Sequence, residues 1–70
     1  MRYAVIIEKG PTSYGAYVPD LPGCVTVGAT RQEVETTIRE AIEFHIEGLR
    51  SEGLPVPPAT SVVTYVEVAA

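Results

Sequence analysis

Very few residues of this chain carry side chains that could do catalytic chemistry. Cys24 is the only cysteine and His45 is the only histidine. A nucleophilic thiol needs a base or a nearby cation, and no basic residue lies beside Cys24 in the sequence. His45 falls within the apolar stripe of a predicted helix, without the companions that a general base or a metal ligand requires. We therefore predict a small buried thiol and a packed histidine.

Carboxylates offer the other chemical possibility. Metal nucleases of the ribonuclease H type hold two metal ions with several converging acids. Here only Glu8 and Asp20 are suitably placed, and they fall at opposite ends of a predicted pair of strands. We therefore expect no metal, no cofactor and no enzymatic activity. In the alternative, a metal nuclease, RNA cleavage would depend on magnesium or manganese and would be lost on substitution of Glu8 or Asp20.

Length and charge favour a small protein that works through contact with other chains. Its 70 residues predict one domain over residues 1–70. A core of this size gives little stability alone, so we expect a homo-oligomer. The net charge of −4 argues against direct contact with nucleic acid and favours a basic protein partner. No membrane span or leader is visible, and a lone free thiol favours the cytoplasm.

Four strands and one helix are predicted. Three short runs in the first half are rich in β-branched and aromatic residues and should form an antiparallel meander: Arg2–Glu8, Tyr14–Val18 and Val25–Val27. Val62–Val68 is predicted as a fourth strand, parallel to the first and reached by a right-handed crossover. The fold class is α+β in the order β-β-β-α-β, with the helix packed on the sheet. This arrangement is the opening portion of a ribonuclease H-like fold.

The helix has the clearest local signals. Thr30 and Glu33 fit a capping box at its start, and Gly53 predicts an end just after Ser51. The apolar positions then recur at spacings of three and four, which gives a stripe that faces the sheet. The stripe consists of Val34, Ile38, Ala41, Ile42, His45 and Leu49.

Three large side chains are not buried by the predicted contact between the helix and the sheet. Phe44 and Ile46 lie outside the stripe, on opposite flanks of the helix, and Tyr65 belongs to the fourth strand. One helix on one sheet cannot easily cover such side chains, and exposed apolar patches mark contact with another chain. We predict that Phe44, Ile46 and Tyr65 contribute to an oligomer interface.

The stretch VPDLPGC, residues 18–24, is the most distinctive in the chain. Pro19 ends a strand because it lacks an N–H, and Pro22 begins a turn, so Asp20 and Leu21 are presented at the end of the sheet. A rigid loop of this kind loses little entropy when it docks. In the alternative, Leu21 tucks under the helix and Asp20 hydrogen-bonds its own turn. The predicted partner-binding site consists of Tyr14, Tyr17, Asp20, Leu21 and Pro22.

The sequence also resembles a known family over most of its length, from Met1 to about Ser61. The run PDLPGC-x-T-x-G-x-T, from Pro19 to Thr30, is its most specific part, and YAVIIEKG precedes it. The segment H-x-E-G-L from His45 and the proline-rich exit from the helix add to it. These stretches are similar to the N-terminal domain of HicB antitoxins.

This resemblance implies an antitoxin that is not an enzyme. HicB antitoxins pair with HicA, a small basic mRNA-cleaving toxin, and inhibit the ribonuclease by covering its active site. They form dimers or tetramers. Longer members append a DNA-binding domain, whereas this sequence ends at Ala70, and its GPTS turn before Tyr14 stands where acidic residues and glycine are frequent. The alternative is a stand-alone homo-oligomeric interaction module of the same fold without a toxin.

Overall fold

The computed structural model describes all 70 residues and contains a three-stranded antiparallel sheet. Its strands are β1 (Ile6–Lys9), β2 (Tyr14–Tyr17) and β3 (Val25–Gly28), in the spatial order β1-β2-β3. The predicted meander is therefore confirmed. β1 begins later than predicted, because Ile6 lies opposite Tyr17 and the chain turns away at Pro19 soon after. Residues 2–5 consequently have no ladder partner on β2.

The register of the sheet separates two faces. Ile7, Ala16 and Thr26 lie side by side on the face that carries the helix, and Ala16 is buried. The opposite face, called the outer face below, carries no other element of the chain. It presents Ile6, Glu8, Tyr17, Val25 and Val27.

One helix, α1 (Arg31–Ser51), covers the inner face of the sheet. The hydroxyl oxygen of Thr30 accepts the N–H of Glu33 at 3.1 Å, and the Glu33 carboxylate accepts the N–H of Ala29 at 3.3 Å, one residue before the position that a capping box uses. At the other end Gly53 adopts a φ of +70°, and the N–H of Leu54 donates to the carbonyl of Leu49 at 2.8 Å. This is the glycine-terminated Schellman arrangement that ends many helices. Both predicted ends of the helix are thus confirmed. The helix is too short in apolar residues to cross a membrane.

The core is small and lies between α1, β2 and the loop after β2. Six residues are buried: Ala16, Val18, Leu21, Cys24, Val34 and Ile38. Leu21 and Val34 are 0% exposed. Half-buried apolar side chains of β1 and of the helix extend this cluster at its margin. The margin on the β1 side remains open to solvent as a groove between the strand and the helix.

The predicted fourth strand does not form within this chain. Residues 62–68 have no ladder partner, and their backbone makes no hydrogen bond to β1. The prediction rested on residue composition, which does not by itself pair the segment with a neighbouring strand, and beyond Ser61 no backbone group of the chain hydrogen-bonds to the sheet. The parallel pairing with the first strand is therefore absent from the single chain. We call residues 62–68 the C-terminal segment.

Candidate partner-binding surface

The loop of residues 18–24 folds into two consecutive tight turns. The N–H of Leu21 donates to the carbonyl of Val18 at 3.1 Å, and the N–H of Cys24 donates to the carbonyl of Leu21 at the same distance. In the second turn Pro22 precedes Gly23, whose φ of +85° suits the third position of a type II turn. The N–H of Val18 also donates to the carbonyl of Cys24 at 3.2 Å, which closes the base of the loop. The loop is therefore fixed at its backbone.

The apolar residues of this loop point into the core. Leu21 is 0% exposed, and Val18 and Cys24 are also buried. All three belong to the same cluster as Val34 and Ile38 of the helix. Leu21 therefore lies under the helix, as one of the two sequence-based alternatives predicted. The other half of that alternative is wrong, because Asp20 bonds to Thr60 and Ser61 and not to its own turn. Cys24 is buried, as predicted, and this burial raises the pKa of its thiol.

Asp20 accepts four hydrogen bonds from two consecutive residues that follow the proline-rich exit. One carboxylate oxygen accepts the N–H groups of Thr60 and Ser61 at 2.9 and 2.8 Å. The other accepts their hydroxyls at 3.3 and 2.7 Å. These bonds, led by the one from the backbone of Ser61, hold the pKa of Asp20 below its ordinary value of 3.8. Asp20 thus clamps the C-terminal part of the chain to the loop, 40 residues away in sequence.

Sequence reasoning missed Thr60 and Ser61. Each offers a backbone N–H and a hydroxyl, and together they supply the four donors that the two oxygens of one carboxylate accept. The only local signal is the threonine–serine pair itself, placed directly after a proline-rich stretch. Nothing in that stretch specifies Asp20 as the acceptor, because the contact depends on how the whole chain turns back.

The five residues of the predicted partner-binding site do not form one surface. Tyr17 is 40% exposed on the outer face, and Pro22 is exposed on the loop. Tyr14 lies on the opposite face of the sheet and packs against the core cluster. Leu21 is buried and Asp20 is occupied by Thr60 and Ser61. Tyr17 and Pro22 are thus the members available to another chain.

The outer face is mostly apolar and open, and Glu8 is the one charged side chain that the three strands place on it. Tyr17 lies between Ile6 and Val25 across the three strands, and Val27 follows one pair further along β3. Val25 and Val27 are 64% and 69% exposed. A sheet face without a covering layer is typical of a surface that another chain covers.

The three residues predicted for an oligomer interface lie in three different places. Phe44 is 80% exposed, on the helix flank that also carries Thr37, whose hydroxyl accepts the hydroxyl of Thr26 in β3 at 3.0 Å. Ile46 is half-buried and packs on the margin of the core near Tyr3. Tyr65 is 93% exposed on the C-terminal segment. Phe44 and Ile46 are therefore on opposite flanks of the helix, as predicted, and do not meet.

The carboxylates of the alternative metal site are not brought together either. Glu8 lies opposite Gly15, next to the turn between β1 and β2, whereas Asp20 lies beyond the far end of β2. The structure contains no group of three or more histidine, cysteine, aspartate or glutamate side chains placed to hold a metal ion. His45 is half-buried in the stripe of the helix that faces the sheet.

Comparisons with known proteins agree on one family. The family model described as HicB-like antitoxin of bacterial toxin–antitoxin systems matches residues 3–69. A 14.9 kDa protein from the rep–hol intergenic region of Haemophilus phage HP1 is 38% identical over 94% of this chain and 50% of its own length. Antitoxin HicB 2 of Photorhabdus laumondii is 34% identical over all of this chain and 51% of its own length. This chain therefore spans about half the length of these two relatives.

The fold gives the same result as the sequence. A chain of the solved HicA3 and HicB3 toxin–antitoxin complex superposes with a TM-score of 0.72 at 35% sequence identity. The match covers 84% of this chain and 70% of that chain. The α+β arrangement of three antiparallel strands and a helix is thus shared with a protein of this complex. The chain belongs to the HicB-like antitoxin family of bacterial toxin–antitoxin systems.

Proposed function

We propose that this chain binds a HicA-type ribonuclease toxin and silences it by covering its active site. The observation that carries the proposal is the likeness, at 35% identity over 84% of the chain, to a member of the HicA3 and HicB3 complex. In this role the chain acts by contact alone, with no cofactor and no catalysis of its own. The burial of Cys24 and the separation of Glu8 from Asp20 support that role.

The outer face of the sheet is the proposed contact surface, with Pro22 at its end. Tyr17 supplies a large amphipathic ring of the kind enriched in interfaces, and Val25 and Val27 extend it. The two turns of the 18–24 loop fix Pro22 before any partner arrives, so little further order is required on binding. Asp20 and Leu21 act indirectly in this proposal, because they hold the loop in place.

Charge complementarity supports a basic partner. The net charge is −4, and the solvent face of α1 exposes Glu40, Glu43 and Glu47 together with Arg39 and Arg50. Such a field speeds the encounter with a basic toxin more than it strengthens the final complex. The net negative charge of the whole chain therefore steers association, while the outer face makes the proposed contact.

Capture of a tagged HicA-type toxin by co-expression tests the proposal. The wild-type chain should co-purify with the toxin and restore growth to cells that express it. Val27→Arg places a cation on the outer face, where it should repel a basic toxin and abolish capture. Thr36→Arg makes the same change of charge at an exposed position of the helix and serves as the matched control.

Two outcomes of this capture experiment would contradict the proposal. Loss of capture in Thr36→Arg, with Val27→Arg unaffected, would move the contact from the outer face to the acidic helix. If the folded wild-type chain captures no toxin encoded beside its own gene, the second candidate, a self-associating module without a toxin, takes its place. The exposed apolar C-terminal segment is the observation that favours self-association.

A further inference from the structure

The C-terminal segment has the character of a strand but no partner. Its sequence VVTYVEV contains mostly β-branched and aromatic residues, which suit a pleated surface. In an extended conformation Val62, Thr64, Val66 and Val68 share one side, and Glu67 lies on the other. The side chains of Val62, Val66 and Val68 are 74–88% exposed in the single chain. Seven consecutive residues of this kind with unpaired backbone groups form a ready template for pairing with a sheet edge.

The sheet offers a free edge with an unfilled apolar groove beside it. β1 is an edge strand, since the order is β1-β2-β3. Between β1 and α1 lies an open groove of about 590 Å³, whose apolar lining includes Val5, Ile7, Ile38 and Ile42. A strand added at β1 would complete the sheet and lay its inward side chains over this groove.

The other edge of the sheet is a poorer acceptor, because α1 lies close to β3. A methyl group added at Gly28 would come within 3.0 Å of the Val34 side chain, and Thr26 and Thr37 are joined by a hydrogen bond. The helix therefore covers the inner side of β3 and leaves that of β1 open. The groove beside β1 is where an additional layer of apolar side chains fits.

The segment does not reach its own β1 edge as a strand. Asp20 holds Thr60 and Ser61 at the loop after β2, and beyond Ser61 no backbone group hydrogen-bonds to the rest of the chain. Tyr65 nevertheless borders a recess with Ile7 and Tyr14, so the segment lies on the β1 side of the domain. The β1 edge and the C-terminal segment therefore lie on the same side of each copy. A two-fold symmetric dimer requires this, because both of its subunits use the same surface.

We propose that residues 62–68 of one copy add as a strand to the free β1 edge of a second copy, and that the exchange is reciprocal. Val62, Val66 and Val68 then cover the groove of the partner, while Glu67 stays in solvent. The match to the family model runs through residue 69, so the segment is part of the domain and not a linker beyond it. Only six residues are buried in the single chain, and the exchange supplies the missing cover for its core.

Sedimentation of the pure 70-residue chain tests this inference without any toxin, so its outcome is independent of the proposed function. The wild type should sediment as a dimer. The double variant Tyr65→Pro/Val66→Pro should sediment at half the mass with an unchanged helical circular dichroism spectrum. Adjacent N–H groups of a strand point in opposite directions, so removal of two consecutive ones must remove one that faces β1. Ala69→Pro, just outside the segment, should remain dimeric. A monomeric wild type, or a dimeric double variant, would overturn the proposal.

A second measurement keeps the inference testable if the double variant does not fold. In a sample prepared from equal parts of isotope-labelled and unlabelled wild-type chains, filtered nuclear Overhauser effects report contacts between chains only. We expect such contacts between the methyl groups of Val66 or Val68 and those of Val5 or Ile7. If these contacts occur in the unfiltered spectrum but not in the filtered one, the segment pairs with its own β1, which contradicts exchange.

Discussion

Asp20 and Leu21 are neighbours in sequence but stabilise the fold in different ways. Leu21 fills the space beneath the helix, where its side chain is fully buried. Asp20 faces the other way and ties the loop to Thr60 and Ser61. Asp20 and Leu21, which were predicted to be exposed for docking, thus connect the loop to the core and to the C-terminal part of the chain.

Leu21→Ala should destabilise the protein by about 2–5 kcal/mol, because it removes a buried side chain from a core of only six residues. Val27→Ala removes methyl groups from a valine that is 69% exposed and should change the free energy of unfolding by less than about 0.5 kcal/mol. Urea denaturation followed by circular dichroism measures both. Equal effects of the two substitutions would place Leu21 at the surface.

The Asp20 clamp should give stability a specific dependence on pH. The folded pKa of Asp20 lies below its ordinary value of 3.8. The unfolded state therefore takes up the proton first as the pH falls, so the contribution of Asp20 is complete above pH 3.8 and is lost as the pH drops through the lowered folded value. Asp20→Asn removes one acceptor oxygen and this titration together.

Denaturation midpoints of the wild type and Asp20→Asn measured from pH 7 to low pH test the clamp. The wild type should be more stable at neutral pH, and the two curves should converge below pH 3.8. A difference between them that stays constant to the lowest pH would contradict the clamp.

At the scale of elements, two glycines show that backbone conformation and not residue type decides the effect of a substitution. Gly23→Ala should cost about 1–2 kcal/mol, since its φ of +85° is a left-handed conformation in a tight turn. Gly48→Ala should instead stabilise by about 0.5–1 kcal/mol, because Gly48 lies inside the helix and nothing is within 4 Å of an added methyl group. Thermal unfolding of the two variants should therefore shift in opposite directions. Shifts of the same sign would contradict this assignment of the turn and the helix.

The elements that local signals define were predictable from the sequence. The cap at Thr30, the end at Gly53 and the breaks around β2 and β3 depend on residues within a few positions of each other. The start of β1 was not predictable from local signals, because it depends on where the chain turns away after β2, at Pro19. The fourth strand and the acceptor role of Asp20 were not predictable either, since both depend on where residues 60–68 lie after the chain has passed the helix.

At the scale of the whole molecule, the sheet and the helix form two layers. One side of each layer is covered by the other layer, and its opposite side is open to solvent. The outer face is mostly apolar, and the chain as a whole carries a net charge of −4. Association with a basic toxin should therefore slow as salt is added, because ions screen charges over about 10 Å at 0.1 M ionic strength. Stopped-flow mixing measures this rate. An association rate that does not change with salt would mean that charge does not steer the encounter.

Inhibition of toxin activity tests the central claim most directly. The purified chain would be titrated into a HicA-type toxin from the same genome while cleavage of an mRNA substrate is followed. Cleavage should fall to background at a fixed stoichiometric ratio, and Val27→Arg should relieve the inhibition while Thr36→Arg should not. Undiminished cleavage in the presence of excess folded chain would contradict the claim that this protein silences a toxin by covering its active site.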